Sequence, residues 1–451
     1  MHRQLVHQLK YFCIVISIYP AIAVSANVIV GSLPEPVVQA DFTAFDERQA
    51  DIGRLLFYDP VLSGNRNISC GTCHHHDLGT TDGLSLGIGE GGEGIGENRT
   101  PGQGEGRIKS RIPRNTPALW NLAARQVDTL FHDGRVSTSD LYGNGFNTPA
   151  QEWLPAGLDH VLAAQALFPM TSRFEMAGDP RENQVGGAIY DRVDNAWSII
   201  EKRVRIIPQY GRMFVDAFDD VNEPTDISIT HIANAIAAFE GLEWISHDSP
   251  FDAFLAGDAD ALAPEQQQGM ELFYGKAGCA GCHEGKFFSD QGFYALALPA
   301  FGPGRTRNWD PYVRDMGRIA VTDRLEDAYR FRTPSLRNVT LTAPYGHNGA
   351  YPTLEGIIRH HLQPARMMAR WNRELSNLPK VPWLEEMDFV VEEDAREQQR
   401  LASRIDIESV NLNAKEIRAL VLFLHSLTGT DSINGRLGRP ETVPSGLEVD
   451  S

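Results

Sequence analysis

Cysteine is scarce in this 451-residue chain, with five in all, and Cys13 sits in an apolar N-terminal stretch. That scarcity excludes the dense disulfide framework of small secreted domains. No run of about 18 uninterrupted apolar residues occurs, so nothing in the sequence reads as a bilayer-spanning helix. Positive charge is also short: 41 Lys+Arg against 59 Asp+Glu leave a formal net charge of −18. Such a balance argues against nucleic acid as a partner. Period-two strand patterns are few as well, which leaves a mainly α fold with long loops.

The N-terminus carries Arg3 and Lys10, an apolar run from Tyr11 to Ile22, and then Val24-Ser25-Ala26. This is the layout of a secretory signal (residues 1–26) cut after Ala26, and it predicts export to the periplasm. Cys13 leaves with it. A retained anchor is the poorer reading, because the run is short and interrupted by Pro20.

The four remaining cysteines fall into two copies of one motif, Cys70-Gly71-Thr72-Cys73-His74 and Cys279-Ala280-Gly281-Cys282-His283. Cys-x-x-Cys-His lets two thiols form thioethers to one haem while the histidine takes the iron. Structural zinc would need four ligands gathered together, and each cluster offers three. A pair of redox dithiols is the other alternative, and it leaves the histidines unexplained. The chain therefore reads as a protein with two covalently bound haem c groups, His74 and His283 each supplying one axial ligand.

Around the motifs the pattern is mostly helical. Arg54 to Tyr58 ends a first helix that Asp59-Pro60 breaks. Residues 79–106 are Gly- and Glu-rich and predict a mobile surface loop. Gly87 to Gly92 in that loop matches Gly-x-Gly-x-x-Gly, but no strand precedes it and Glu90 and Glu93 would repel phosphate, so it is a linker. Ile229 to Trp244 reads as a helix closing a first unit, with a boundary near Ser249-Pro250. Pro264 to Phe273 leads into the second motif, and the stripe Ile417, Leu420, Val421, Leu424, Leu427 marks a last helix. Asn413 and Glu416 are set to cap its start and Gly429 its end. The expected architecture is two tandem cytochrome c-like units, residues 40–248 and 249–430, with a C-terminal tail at 431–451.

The chain resembles the bacterial di-haem cytochrome c peroxidase family, which includes MauG-type enzymes. The resemblance spans roughly residues 50–430 and rests on Leu55 to Pro60, Arg114-Asn115-Thr116-Pro117, Asp133-Gly134-Arg135, Gln165-Ala166, Pro169, Glu175-Met176, Ala235 to Glu240, Ser249 to Asp252, Arg332 to Val339, and Thr342-Ala343-Pro344-Tyr345 with His347. An insertion of about two dozen residues separates Arg135 from Gln165. The resemblance implies a peroxidatic N-terminal haem whose far side carries Glu175 as acid–base group, with Gln165 and Pro169 beside it. It implies His361 as the second axial ligand of the C-terminal haem, His360 being the register-slip alternative. It also implies a Ca2+ ion between the haems, held by Asn115, Thr342 and Pro344.

Three departures stand out. Typical members carry a loop histidine that blocks the peroxidatic iron; here none lies between His76 and His132. His75 and His76 read as bystanders. Position 361 is histidine where peroxidases usually have methionine and MauG-type proteins tyrosine. The tryptophan expected before Asp-Gly-Arg, between the haems, is His132, which leaves the relay path open; Trp120 is near in sequence.

The leading expectation is a periplasmic di-haem peroxidase that reduces hydrogen peroxide at the N-terminal haem, with electrons entering from a cytochrome c or cupredoxin through the C-terminal haem. The alternative is a MauG-type oxidase that uses a ferryl haem to modify a Trp or Tyr of a partner protein. A plain electron carrier with both irons saturated is the third reading. Family analogy points to a homodimer.

Overall fold

The computed structural model describes residues 33–305 and 314–450; the expected signal segment lies outside the described residues. The structure is mainly helical, and two helix pairs organise it. Helix α1 (Glu47–Tyr58) starts on the Asp46 side chain, which accepts from the Arg48 and Gln49 N–H groups, and stops at Asp59-Pro60. A short helix α2 (Val161–Ala166) follows, and then α3 (Ile229–Glu243), which is apolar on nearly every face and buried. Gly53 lets α1 and α3 cross closely: a Cβ there would stand 1.8 Å from the Ala235 carbonyl oxygen.

The second pair repeats this arrangement. Helix α4 (Pro264–Tyr274) crosses α6 (Ala414–His425), with α5 (Leu354–Leu362) between them in sequence. At the crossing, a Cβ on Gly269 would lie 2.0 Å from the Ala419 carbonyl oxygen. The expected capping box of α6 is present, since Asn413 N donates to Glu416 Oε2 at 2.8 Å and Glu416 N to Asn413 Oδ1 at 3.1 Å. In each half the opening helix is followed by a Cys-x-x-Cys-His turn, then loops, then the closing helix. The two main apolar clusters centre on these two helix pairs.

Strands are short. Thr129–Leu130, Val136–Thr138 and Phe146–Asn147 (β1–β3) form a small antiparallel sheet that includes part of the insertion. Phe293–Tyr294 and Phe331–Arg332 (β4, β5) pair antiparallel in the second half.

Two expectations are corrected. The Gly-rich segment 79–106 is not a mobile surface loop. Leu84, Leu86 and Ile88 are buried, and the Arg99 guanidinium gathers the carbonyls of Ile88 (2.6 Å), Gly89 (2.9 Å) and Gly94 (2.6 Å). A segment of the second half clamps it and the residues just after it: Ser85 N donates to Asn377 O at 2.9 Å, Trp383 Nε1 to Ile108 O at 3.1 Å, and Arg111 pairs with Asp388 at 2.8 Å in the interior. Removing one member of such a buried pair costs about 3–5 kcal/mol. The second correction concerns Gly429. Helix α6 ends at His425 with Ser426 as its cap, and Gly429 N instead donates to Asn338 Oδ1 at 2.8 Å.

The C-terminal segment crosses back to the first half. Buried Glu243 accepts the N–H groups of Arg436 (2.9 Å), Leu437 and Gly438 (2.9 Å). Asp59 accepts the Ser445 hydroxyl at 2.6 Å, Asp450 bonds Thr72 inside the first motif, and Val443 joins the first core.

Candidate metal centres

Both motif histidines are prepared in the same way. His74 Nδ1 faces the Thr80 carbonyl at 3.0 Å, and the Pro117 carbonyl also lies near the ring. His283 Nδ1 faces Phe288 O at 3.0 Å, and the Pro334 carbonyl also lies near the ring. The two prolines sit in matching Thr-Pro-x-Leu runs, Thr116 to Leu119 and Thr333 to Leu336. With Nδ1 committed to backbone carbonyls, Nε2 is the nitrogen left for a metal. Burial pushes each imidazole down to about 4, so both are neutral donors at neutral pH.

Beyond His283 lies a cavity of about 560 Å³, lined among others by Cys279, Cys282, His361, Leu354 and Leu420. That volume suits a cofactor. The His283 and His361 ring centroids are 6.4 Å apart. A metal–nitrogen bond is about 2 Å and a ring nitrogen lies about 1.1 Å from its centroid, so two imidazoles flanking one metal put their centroids about 6 Å apart. His361 Nδ1 faces Ile357 O at 2.9 Å, which again leaves Nε2. His360, one step round α5, uses both nitrogens: Nδ1 with Tyr351 Oη at 2.8 Å and Nε2 with Leu296 O at 2.7 Å.

The first motif meets a different environment. Gln165 lies on α2, Pro169 opens a 3-10 turn (Pro169–Thr171), and Glu175 sits on a π-turn (Arg173–Ala177). All three share the continuous stretch 161–177, which Trp197 Nε1 pins through Leu167 O at 3.2 Å. The Gly-rich segment braces it from outside, with Glu90 N donating to Phe174 O at 3.2 Å. Glu175 is near enough to Cys73 for its charge to act on that thiol. Burial pushes the Glu175 carboxyl up, while the Arg135 and Arg305 guanidiniums and the Ser172 hydroxyl oppose that rise.

The sequence profile of the di-haem cytochrome c peroxidase family matches residues 47–260. The methylamine utilization protein MauG of Methylorubrum extorquens is 30% identical over 332 residues, 73% of each chain. The chain belongs to the di-haem cytochrome c peroxidase family. Cytochrome c551 peroxidase of Pseudomonas aeruginosa is 29% identical over 327 residues, 72% of this chain and 74% of its own. The solved structure of a MauG-like protein associated with microbial copper homeostasis is 27% identical with a TM-score of 0.56, covering 89% of this chain and 95% of that one. The family assigns oxidoreductase chemistry with peroxide as acceptor and haem c as cofactor. The paired thiols, the free Nε2 atoms and the cofactor-sized cavity fit that group.

Three further histidines of this peroxidase-family chain are engaged elsewhere. His76 lies 3.2 Å from Tyr58 Oη through Nδ1 and 3.2 Å from Asn434 O through Nε2; His132 Nε2 meets Asn115 O at 3.0 Å; His347 stacks on Phe331 at 3.5 Å between centroids. Asn115, Thr342 and Pro344 line that same cavity, and Asn115 Nδ2 donates to Leu84 O at 2.8 Å. Trp120 also lines that cavity and donates Nε1–H to Gly79 O at 3.1 Å, next to the Thr80 carbonyl that holds His74. Sequence reasoning missed the hub at Asp133. Its buried carboxylate meets Arg114 at 2.7 Å, Arg135 at 3.1 Å and Arg305 at 3.5 Å. Burial would raise its pKa, but the three guanidiniums win and hold it far below the usual carboxylate range. Arg114 also pairs with Asp315 at 2.6 Å, so three cations face two anions and one positive charge is left over, which suits a haem propionate. The signal was there in Asp133-Gly134-Arg135, but a single aspartate does not announce how many arginines reach it.

Proposed function

We propose that this chain is a periplasmic enzyme in which the N-terminal haem reduces hydrogen peroxide and the C-terminal haem relays electrons from a cytochrome c or cupredoxin. The haem units would be residues 40–248 and 249–430. The observation that carries the reading is an asymmetry. Two imidazoles stand 6.4 Å apart at the second site, whereas the stretch 161–177 beside the first motif carries a carboxylate. Haem supplies an iron that accepts peroxide and passes electrons. The chain's own groups then do the proton work. Glu175 takes the proton from one peroxide oxygen and returns it to the other, and Gln165 and Pro169 shape the space around it. Burial raises the Glu175 pKa, and Arg135 and Arg305 oppose that rise by favouring the ionised carboxylate. Asn115, Thr342 and Pro344 would hold Ca2+ between the two sites.

A second reading is a MauG-type oxidation of a Trp or Tyr on a partner protein. Imidazole rather than thioether at position 361 favours it, because a methionine ligand raises the potential that an ordinary cytochrome donor needs. Electron paramagnetic resonance of the protein as isolated tests both. One high-spin and one low-spin ferric signal are expected, and two low-spin signals refute both readings. Fast oxidation of a reduced cytochrome by peroxide selects the first; a partner peptide whose mass changes only with enzyme and peroxide selects the second.

A further inference from the structure

Tyr294, on β4, shares the wall of the second cavity with Cys279, Cys282 and His283. Its phenol donates to Asp290 Oδ2 at 2.6 Å, and its hydroxyl oxygen lies near the Cys282 sulfur. The frame around it is fixed. Asp290 N donates to Cys282 O at 2.9 Å, Gly292 N donates to Asp290 Oδ1 at 2.7 Å, and Tyr294 is in register with Phe331. Both Tyr294 and Asp290 are only half-buried, so this corner of the cavity wall reaches solvent. The hydrogen bond to Asp290 and partial burial push the phenol pKa up, so Tyr294 rests protonated.

A phenol gives up an electron readily only when its proton leaves with it, and a carboxylate in hydrogen-bond reach can take that proton. Another cavity tyrosine looks similar but differs where it matters. Tyr329 donates to Glu397 at 2.6 Å, but it is buried, and Glu397 already bonds Arg314 at 3.2 Å and Arg400 at 3.0 Å. Among the described residues Asp290 bonds no cation.

We infer that Tyr294, with Asp290 as proton acceptor, is a redox-active residue that carries oxidising equivalents from the second haem site to an external one-electron donor at the Cys282 edge. This rests on the proposed peroxide chemistry, which supplies the oxidant. Tyr294 loses one electron to the peroxide-oxidised protein and its phenol proton to Asp290 Oδ2, leaving a neutral tyrosyl radical beside a carboxylic acid. The external donor returns one electron, and the proton returns from Asp290 to close the cycle.

The test is freeze-quench electron paramagnetic resonance of the ferric holoprotein mixed with hydrogen peroxide without a donor. A tyrosyl signal is expected that narrows in protein grown on ring-deuterated tyrosine, a control that needs no variant. It should vanish in Tyr294→Phe, whose resting spectrum stays that of the parent, and fall in Asp290→Asn. A radical that persists unchanged in Tyr294→Phe overturns the inference. So does the absence of a tyrosyl signal while the high-spin signal is consumed, a result that leaves the peroxidase reading standing. A high-spin signal that peroxide does not touch sinks that reading, and the inference with it.

Discussion

Replacing Glu175 with glutamine probes the proposed chemistry at one atom. The amide has nearly the same shape, so the π-turn Arg173–Ala177, its brace at Glu90 N and the pin at Leu167 O should survive. What is lost is the proton acceptor. Positioned acid–base groups contribute about 10²–10⁴-fold, or roughly 2.7–5.4 kcal/mol of barrier at about 1.36 kcal/mol per tenfold. Peroxide turnover with a reduced donor should fall by that factor, while the as-isolated spectrum stays unchanged. The pH profile sharpens the test. Burial raises the Glu175 pKa and the guanidiniums of Arg135 and Arg305 restrain it. Activity that needs the carboxylate is full above that raised pKa and is lost as pH falls through it. Arg135→Gln removes a positive charge that favours the anion, so the pKa rises further and the acid limb moves to higher pH; Arg135→Lys should move it back. A Glu175→Gln enzyme within about threefold of the parent would mean a barrier change of only about 0.7 kcal/mol, too little for an acid–base group. The proton transfer would then belong to another residue.

Gly269→Ala should destabilise the second unit by about 3 kcal/mol, the upper end of overpacking, because the atom it meets at 2.0 Å is a backbone carbonyl that cannot rotate away; a calorimetric midpoint equal to the parent's would refute the close crossing. Glu243→Gln keeps one acceptor oxygen but turns an NH2 group toward the backbone donors of the other, either Gly438 N or the pair Arg436 N and Leu437 N, and should cost about 1–3 kcal/mol, freeing residues 431–450 to early proteolysis while α6 stays intact. An uncleaved tail would show that other contacts hold it. Elemental analysis should find one calcium per chain, lost in Asn115→Ala; unchanged calcium content would remove Asn115 from that site.

What could be read from the sequence was whatever short-range order carries. The two Cys-x-x-Cys-His motifs, the caps at Asn413 and Glu416, and the break at Asp59-Pro60 are local chemistry, and the structure has them at the expected places. The long-range features were hidden. Residues 79–106 look solvated because glycine and glutamate dominate, and composition cannot show that Arg99 will collect three carbonyls or that Trp383 and Asp388 will arrive from the other half. Gly429 follows an apolar stripe and so resembles a helix stop, yet the helix had ended earlier. The tail is poor in apolar residues, and its anchor is a carboxylate, Glu243, on the most buried helix. The choice between His360 and His361 turns on which face of α5 meets Leu296 O, a matter of packing rather than of spacing.

The two halves use one frame twice and then diverge. Gly53 and Gly269 set the same helix crossing, and Pro117 and Pro334 offer the same kind of carbonyl to the two motif histidines. Equal support on the near side means that any difference in chemistry must come from the far side. In the second half a regular helix, α5, presents His361 toward His283. In the first half the chain from 161 to 177 runs through a helix, a 3-10 turn and a π-turn, a sequence of irregular steps that brings a carboxylate within electrostatic reach of Cys73. The π-turn is tied at Phe174 to a Gly-rich segment that holds no histidine and is locked by Arg99. The loop histidine that would serve as such a switch in typical members is missing from this segment, and Arg99 ties the segment through three carbonyls. On this reasoning the protein should bind cyanide at one haem in its fully ferric state, before any reduction. Cyanide binding that appears only after the second haem is reduced would show that this far side is closed at rest.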